Sequence, residues 1–151
     1  MKILFYYFHG AGGAVENFYH LLQSFCHINK DVQLIVLCDK DSKLNKLGLE
    51  DNVEIIHTKI YVSQEVTRLA YNIFLLRKII QLQNPDVVWS LNVGPYFSTG
   101  KLQVLSVNNA FQVYPLEFSK FHPSSKLKVL LLRKFFRMSL SFSDLVFTQT
   151  E

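Results

Sequence analysis

The sequence predicts an α/β protein built on a Rossmann-like, doubly wound parallel sheet of about six strands with helices on both faces. Three observations predict it. Short apolar runs alternate with helical patterns from end to end, as βαβ units do. Several runs are almost continuously apolar, as in Val32-Gln-Leu-Ile-Val-Leu37, which fits strands covered on both faces. The first run breaks at glycines and feeds an amphipathic helix, the turn by which many such sheets hold an anion. With 151 residues, 49% of them hydrophobic, the chain reads as one domain with a single core, residues 1–151.

The first strand spans Lys2 to Phe8 and ends at His9-Gly10-Ala11-Gly12-Gly13. A helix from Ala14 to Ile28 follows, with Val15, Phe18, Tyr19, Leu22, Phe25 and Cys26 on one stripe and Glu16, His20, Gln23 and His27 opposite. Val32 to Asp39 forms the second strand and Val53 to Ile60 the third, separated by a polar turn over Asp41 to Asn52 with at most a short helix. A long helix from about Ser63 to Gln83 sets Leu69, Ile73, Leu76 and Ile80 on one side. It stops because Asn84 precedes Pro85 and is pushed out of helical geometry. Asp86 to Asn92 and Leu102 to Asn108 are the fourth and fifth strands, then a helix from about Ser124 to Phe142 precedes a sixth strand from Asp144 to Thr150.

Right-handed crossovers favour the strand order 3-2-1-4-5-6, with a ligand crevice beyond the carboxyl ends of strands one and four. The loops after Phe8, Asn92 and Asn108 converge there. The chain stops at Glu151 directly after the sixth strand, so it reads as a fragment.

A formal charge of +4 attracts phosphate, nucleotide or an anionic membrane without choosing among them, and no arginine-rich tract marks a nucleic-acid binder. Cys26 and Cys38 fall on buried faces, as reduced cysteines of a cytoplasmic protein would. No stretch reaches the roughly 18 apolar residues of a membrane span, and the start is too short for a secretion signal.

Gly10-Ala-Gly12-Gly13-Ala-Val15 matches half of the dinucleotide fingerprint, and Asp39 sits where a ribose-binding acid would, but Val15 replaces the third glycine. The turn either contacts phosphate or sugar or merely needs positive φ. Gly94 to Leu102 fails as a P-loop, with five residues where four are needed and leucine in place of the magnesium-binding hydroxyl. The histidines lack metal-ligand spacing, so no metal is expected. His9 is placed to bind a hydroxyl or act as a base, or is a plain loop residue. Asn92, Asn108 and Asn109 end strands at the ligand edge, where amides suit a hydroxyl-rich ligand or cap the strand ends. Lys126, Arg133, Lys134 and Arg137 share about a third of the last helix's circumference, either as a membrane-surface face or as a solvated basic one.

In sum of motifs, the chain resembles the N-terminal domain of the family 4 (group 1) glycosyltransferases, retaining enzymes of GT-B fold. The matching residues are Met1-Lys-Ile-Leu4, Gly12-Gly13-Ala14-Val15-Glu16, Asn84-Pro85-Asp86-Val87-Val88 and Ser143-Asp144-Leu-Val-Phe-Thr-Gln-Thr-Glu151. The resemblance implies the acceptor-side half of the enzyme, with the C-terminal donor-binding domain outside the chain and the isolated chain inactive. It implies that Gly12 and Gly13 approach the donor's phosphate or sugar and that Asn92, Asn109 and Glu16 serve the acceptor. Asn108 stands where many members carry a histidine, and it cannot act as acid or base. The implied partners are a nucleotide-diphosphate sugar as co-substrate, with no other cofactor, and a glycan or lipid-linked acceptor. The expected location is the cytoplasm, with peripheral contact at the inner face of the membrane. The alternatives are an NAD-dependent oxidoreductase using Gly10, Gly12 and Asp39, and a non-catalytic membrane-surface module.

Overall fold

The computed structural model describes residues 1–7, 13–38, 40, 42–57, 71–107 and 123–148. Strands β1 (Lys2–Tyr6), β2 (Gln33–Cys38), β3 (Val53–His57), β4 (Val87–Leu91), β5 (Leu102–Val107) and β6 (Leu145–Thr148) form one sheet in the order β3-β2-β1-β4-β5-β6. Every pairing is parallel. The predicted fold and order are therefore the observed ones.

Alternation along the strands sends successive side chains to opposite faces. Helix α1 (Gly13–Ile28) covers one face, its Leu22 and Cys26 buried against Ile3, Phe5, Leu34 and Val36. The stripe read from the sequence is thus the packed one where side chains are described. Phe18 stacks on Phe5 at 5.7 Å between centroids and Trp89 meets Phe5 edge-on at 5.6 Å, each pair adding about 0.5–1.5 kcal/mol beyond area burial.

The other face carries α2 (Arg77–Gln83), entered through a π-helical turn over Tyr71–Leu76, and α3 (Pro123–Phe142). Leu76 and Ile80 pack on Leu4, Tyr6, Ile35, Leu37 and Val88, while Phe136 packs on Leu105 and Val107. Ile73 departs from the predicted stripe and is 39% exposed. The wider π winding rotates it away from Leu76 and Ile80. Asn84 ends α2 in left-handed geometry at φ 44°, its N–H still donating to the Ile80 carbonyl at 2.9 Å.

One expectation is borne out in part and one needs correction. The segment after β2, expected as a polar turn with at most a short helix, forms a 3-10 helix, Lys43–Leu49, capped by Ser42. Its Leu44 and Leu47 eclipse at i, i+3 and are fully buried in the core. The sixth strand is not covered on both faces: Leu145, Val146 and Phe147 are all exposed. As an edge, it pairs only with β5.

Side-chain hydrogen bonds fix the strand starts. The Lys2 N–H donates to the Asp86 carboxylate at 2.7 Å and the Asp86 N–H to the Lys2 carbonyl at 2.8 Å. Asp144 repeats the device, accepting from the Gln103 N–H at 2.8 Å and donating to its carbonyl at 2.9 Å. Each aspartate stands one position ahead of its own strand and clips it to the neighbour, Asp86 to the first residue of β1 and Asp144 to the second residue of β5. Asn52 ties the α1 to β2 turn, its Nδ2 reaching the carbonyls of Val32 at 3.0 Å, Asn29 at 3.3 Å and Cys26 at 3.5 Å.

Candidate functional site

The order reverses between β1 and β4, so the crevice lies beyond their carboxyl ends, at Tyr6 and Leu91. Gly13 is the first residue of α1 on that side, and the helix's opening amides lack intrahelical partners. His9, Gly10, Gly12, Asp39, Asn108 and Asn109 lie outside the described residues.

Asn92, directly after β4, takes φ 63° and donates its N–H to the Ser106 carbonyl at 2.7 Å. Asparagine tolerates this left-handed geometry better than most residues, which accounts for its place in the tight turn off β4. Glu16 sits in the first turn of α1 and joins Lys43 of the 3-10 helix, with His20 Nε2 3.3 Å from its carboxylate. The Lys43 ammonium also lies 5.1 Å over the Tyr19 ring. Glu16 therefore lies toward the β2 side of the crevice, paired with the Lys43 ammonium, while Asn92 lies toward β5.

Between α1 and the carboxyl ends of β5 and β6 runs an open cleft of about 260 Å³. Phe18, Leu21 and Phe147 supply its apolar walls, and Asn17, Ser106 and Thr148 its polar groups. Ser106 is 8% exposed and its Oγ accepts from the Trp89 indole N–H at 2.8 Å. With one of its two lone pairs so used, the hydroxyl proton remains to donate. The volume lies just under the roughly 300–1,000 Å³ of typical small-molecule pockets and suits one sugar ring rather than a nucleoside diphosphate.

Sequence reasoning missed this cleft because its residues come from three distant segments. The one available signal was Ser106, a hydroxyl interrupting an apolar strand. It also missed a cluster at the carboxyl ends of β2 and β3, where the Asn45 carbonyl oxygen accepts from His57 Nε2 at 2.9 Å and from Cys38 Sγ at 3.4 Å. Both cysteines are free and buried. Burial pushes the Cys26 thiol above its ordinary value, Glu50 adding to the effect and Lys30 opposing it. That raised value makes Cys26 a packing residue rather than a nucleophile. Among the described residues no group of three or more His, Cys, Asp or Glu is arranged to hold a metal.

No family model matches the chain, and no curated protein matches its sequence. Solved structures do match its fold. A protein of Listeria monocytogenes provisionally named UDP-N-acetylglucosamine 2-epimerase aligns over 97% of this chain and 38% of its own, at 13% identity and TM-score 0.60. The Anabaena protein Alr3699/HepE, solved with UDP and glucose, aligns over 100% of this chain and 45% of its own, at 15% identity and TM-score 0.47. The chain thus spans less than half the length of either, and its likeness to the Listeria protein is one of fold.

Proposed function

We propose that the chain is the acceptor-side half of a family 4 GT-B glycosyltransferase, which moves a sugar from a nucleotide-diphosphate sugar to a glycan or lipid-linked acceptor with retention of configuration. The observation that carries this reading is the position of α1. Gly13 opens that helix at the point where the strand order reverses, so its free amides suit a diphosphate or the sugar it carries. The Listeria protein, alike in fold, is named for a nucleotide sugar, which supports that class of co-substrate. The cleft's size and its amide and hydroxyl groups support an acceptor ring beside it.

In this reading Gly12 and Gly13 contact the donor through backbone N–H groups, and Asn92, Asn109 and Glu16 orient the acceptor. Asn108 hydrogen-bonds a sugar hydroxyl without exchanging a proton. The acceptor oxygen bonds to the anomeric carbon on the face from which the phosphate departs, and the acceptor's proton passes to the leaving phosphate oxygen. His9 is the alternative base. The protein's contribution is orientation and charge stabilisation.

The test uses the protein encoded by the complete reading frame, incubated with a panel of nucleotide-diphosphate sugars and with glycan and lipid-linked acceptors. The expected product keeps the donor's anomeric configuration by NMR, and Gly13→Val abolishes its formation. Failure to bind or turn over any donor overturns the proposal. Saturable NAD binding lost in Asp39→Ala would install the oxidoreductase in its place.

A further inference from the structure

We propose that the outer surface of α2 and α3 is a docking face for an anionic lipid bilayer. The inference stands apart from the transferase reading, because it rests on charge and exposed apolar surface alone. The π turn and α2, over Tyr71–Gln83, together with α3 hold seven of the chain's sixteen Lys and Arg and none of its twelve Asp and Glu. The rest of the chain is left with nine bases against twelve acids, a net negative remainder. Among the described residues, the positive charge is therefore concentrated on the layer of α2 and α3.

Both helices belong to one layer. The loop between β4 and β5 joins them, with the Arg77 guanidinium 5.3 Å over the Phe97 ring on the α2 side and Tyr96 stacked on Phe135 at 5.4 Å on the α3 side. On the outer surface, Lys78, Lys134 and Arg137 are exposed and meet no carboxylate among the described residues. The sequence placed Lys126, Arg133, Lys134 and Arg137 on one helical sector. In the structure Lys126 and Arg133 are half-buried, and Leu127 and Leu130 stand within roughly the same 100° sector of α3.

Those leucines decide between the two readings of the basic face. A merely solvated face carries polar residues between its charges, whereas here Leu127 is 62% exposed and Leu130 53%. On α2 and its entry turn, Leu82 is 73% exposed and Phe74 72%. Large apolar side chains interleaved with exposed bases fit the boundary between headgroups and acyl chains, where both are favourably placed. No helix among the described residues is long and apolar enough to cross a membrane, so the contact is with its surface.

Sedimentation with vesicles tests the proposal. The vesicles are phosphatidylcholine alone and phosphatidylcholine mixed with phosphatidylglycerol, and no donor sugar is needed, so the result is independent of transfer activity. Binding is expected only with phosphatidylglycerol and weaker at about 0.5 M than at about 0.1 M salt. Replacing Lys78, Lys134 and Arg137 by glutamine should weaken partition by about fivefold per base. Leu127→Ser with Leu130→Ser leaves the charge intact and should weaken it by about tenfold. All these positions are exposed or outer-face, so unchanged circular dichroism melting verifies the fold. Equal recovery with both vesicle types overturns the proposal. So does a leucine variant that binds like the parent, or preferential, leucine-independent capture by duplex RNA, which would make the face a polyanion site.

Discussion

Replacing Gly94 with alanine tests whether the β4 to β5 loop is locked against α3 by close approach. A Cβ built on Gly94 falls 3.1 Å from Ser90 Oγ, 3.5 Å from Ser139 Cβ and 3.7 Å from Ser143 Oγ. The backbone there is also committed: the Gly94 N–H donates to Ser139 Oγ at 2.9 Å, and the same hydroxyl lies 3.1 Å from the Gly94 carbonyl. Ser90 has little room to yield, since it is 1% exposed and its hydroxyl donates to the Val104 carbonyl at 3.1 Å. Overpacking of this kind costs about 1–3 kcal/mol, from which the lower entropy of the unfolded alanine chain removes about 0.4–1 kcal/mol. Taking the middle of both ranges, the net loss is about 1–2 kcal/mol, or roughly 2–8 °C in Tm for a chain of this size. Trp89 is the only tryptophan, so urea unfolding followed by its fluorescence reads the change directly. Ser90→Ala in the Gly94→Ala background removes the crowded oxygen and should recover part of the loss as a favourable coupling. A Gly94→Ala variant within about 0.5 kcal/mol of the parent would refute the packing argument.

Gly100 offers the opposite case: it has φ 66° with nothing within 4 Å of an added Cβ, so Gly100→Ala should cost about 1 kcal/mol by backbone strain while Gly100→Asn stays close to neutral in the same unfolding assay. Asn52→Ala leaves the carbonyls of Val32 and Asn29 without their side-chain donor and should lower stability by about 1–3 kcal/mol, measured by urea midpoint. Ser106→Ala removes the acceptor of the Trp89 indole N–H; a shifted emission maximum and a loss of about 1–2 kcal/mol are expected. Burial raises the Cys26 thiol above its ordinary 9.0, so the folded state favours the neutral thiol. Its contribution is complete below that ordinary value and is lost as pH rises through the folded one, so stability should fall above about pH 9 and fall less in Cys26→Ala, by pH-dependent urea titration.

The strands were legible because burial on both faces demands unbroken apolar runs, and β1 and β2 supply them. Topology followed from chirality, since right-handed crossovers leave few ways to join six parallel strands. The short helix allowed after β2 was legible, but the burial of its face was not, because Leu44 and Leu47 are separated by asparagine and lysine and repeat only once, too short a pattern to mark a packed side. Ile73 fell off its stripe because a π turn changes the period that the reading assumed. At the site, composition pointed to a glycine turn, of which Gly10 to Gly12 lie outside the described residues, and the helix expected from Ala14 begins one residue earlier, at Gly13. The cleft did not, because Asn17, Ser106 and Thr148 meet only through the sheet order. Glu16 shows the same gap: nothing local to it foretold Lys43 as its partner across the α1 to 3-10 helix contact.

The paired aspartates before β4 and β6 have a consequence for how this chain tolerates changes of length. Asp86 binds Lys2 through both its backbone and its carboxylate, and Asp144 does the same to Gln103. Each sets the phase of a strand one residue ahead of its ladder, as a registration pin sets a sheet of paper. Residues added ahead of the pin lengthen the connection from the preceding helix without changing the strand's phase, and loop closure itself grows only slowly with length. A residue added between pin and strand moves every following side chain to the opposite face of the sheet. The boundary between permissive and forbidden insertion therefore falls at Asp86 and at Asp144, and a scan of single-residue insertions across either one should find an abrupt step there.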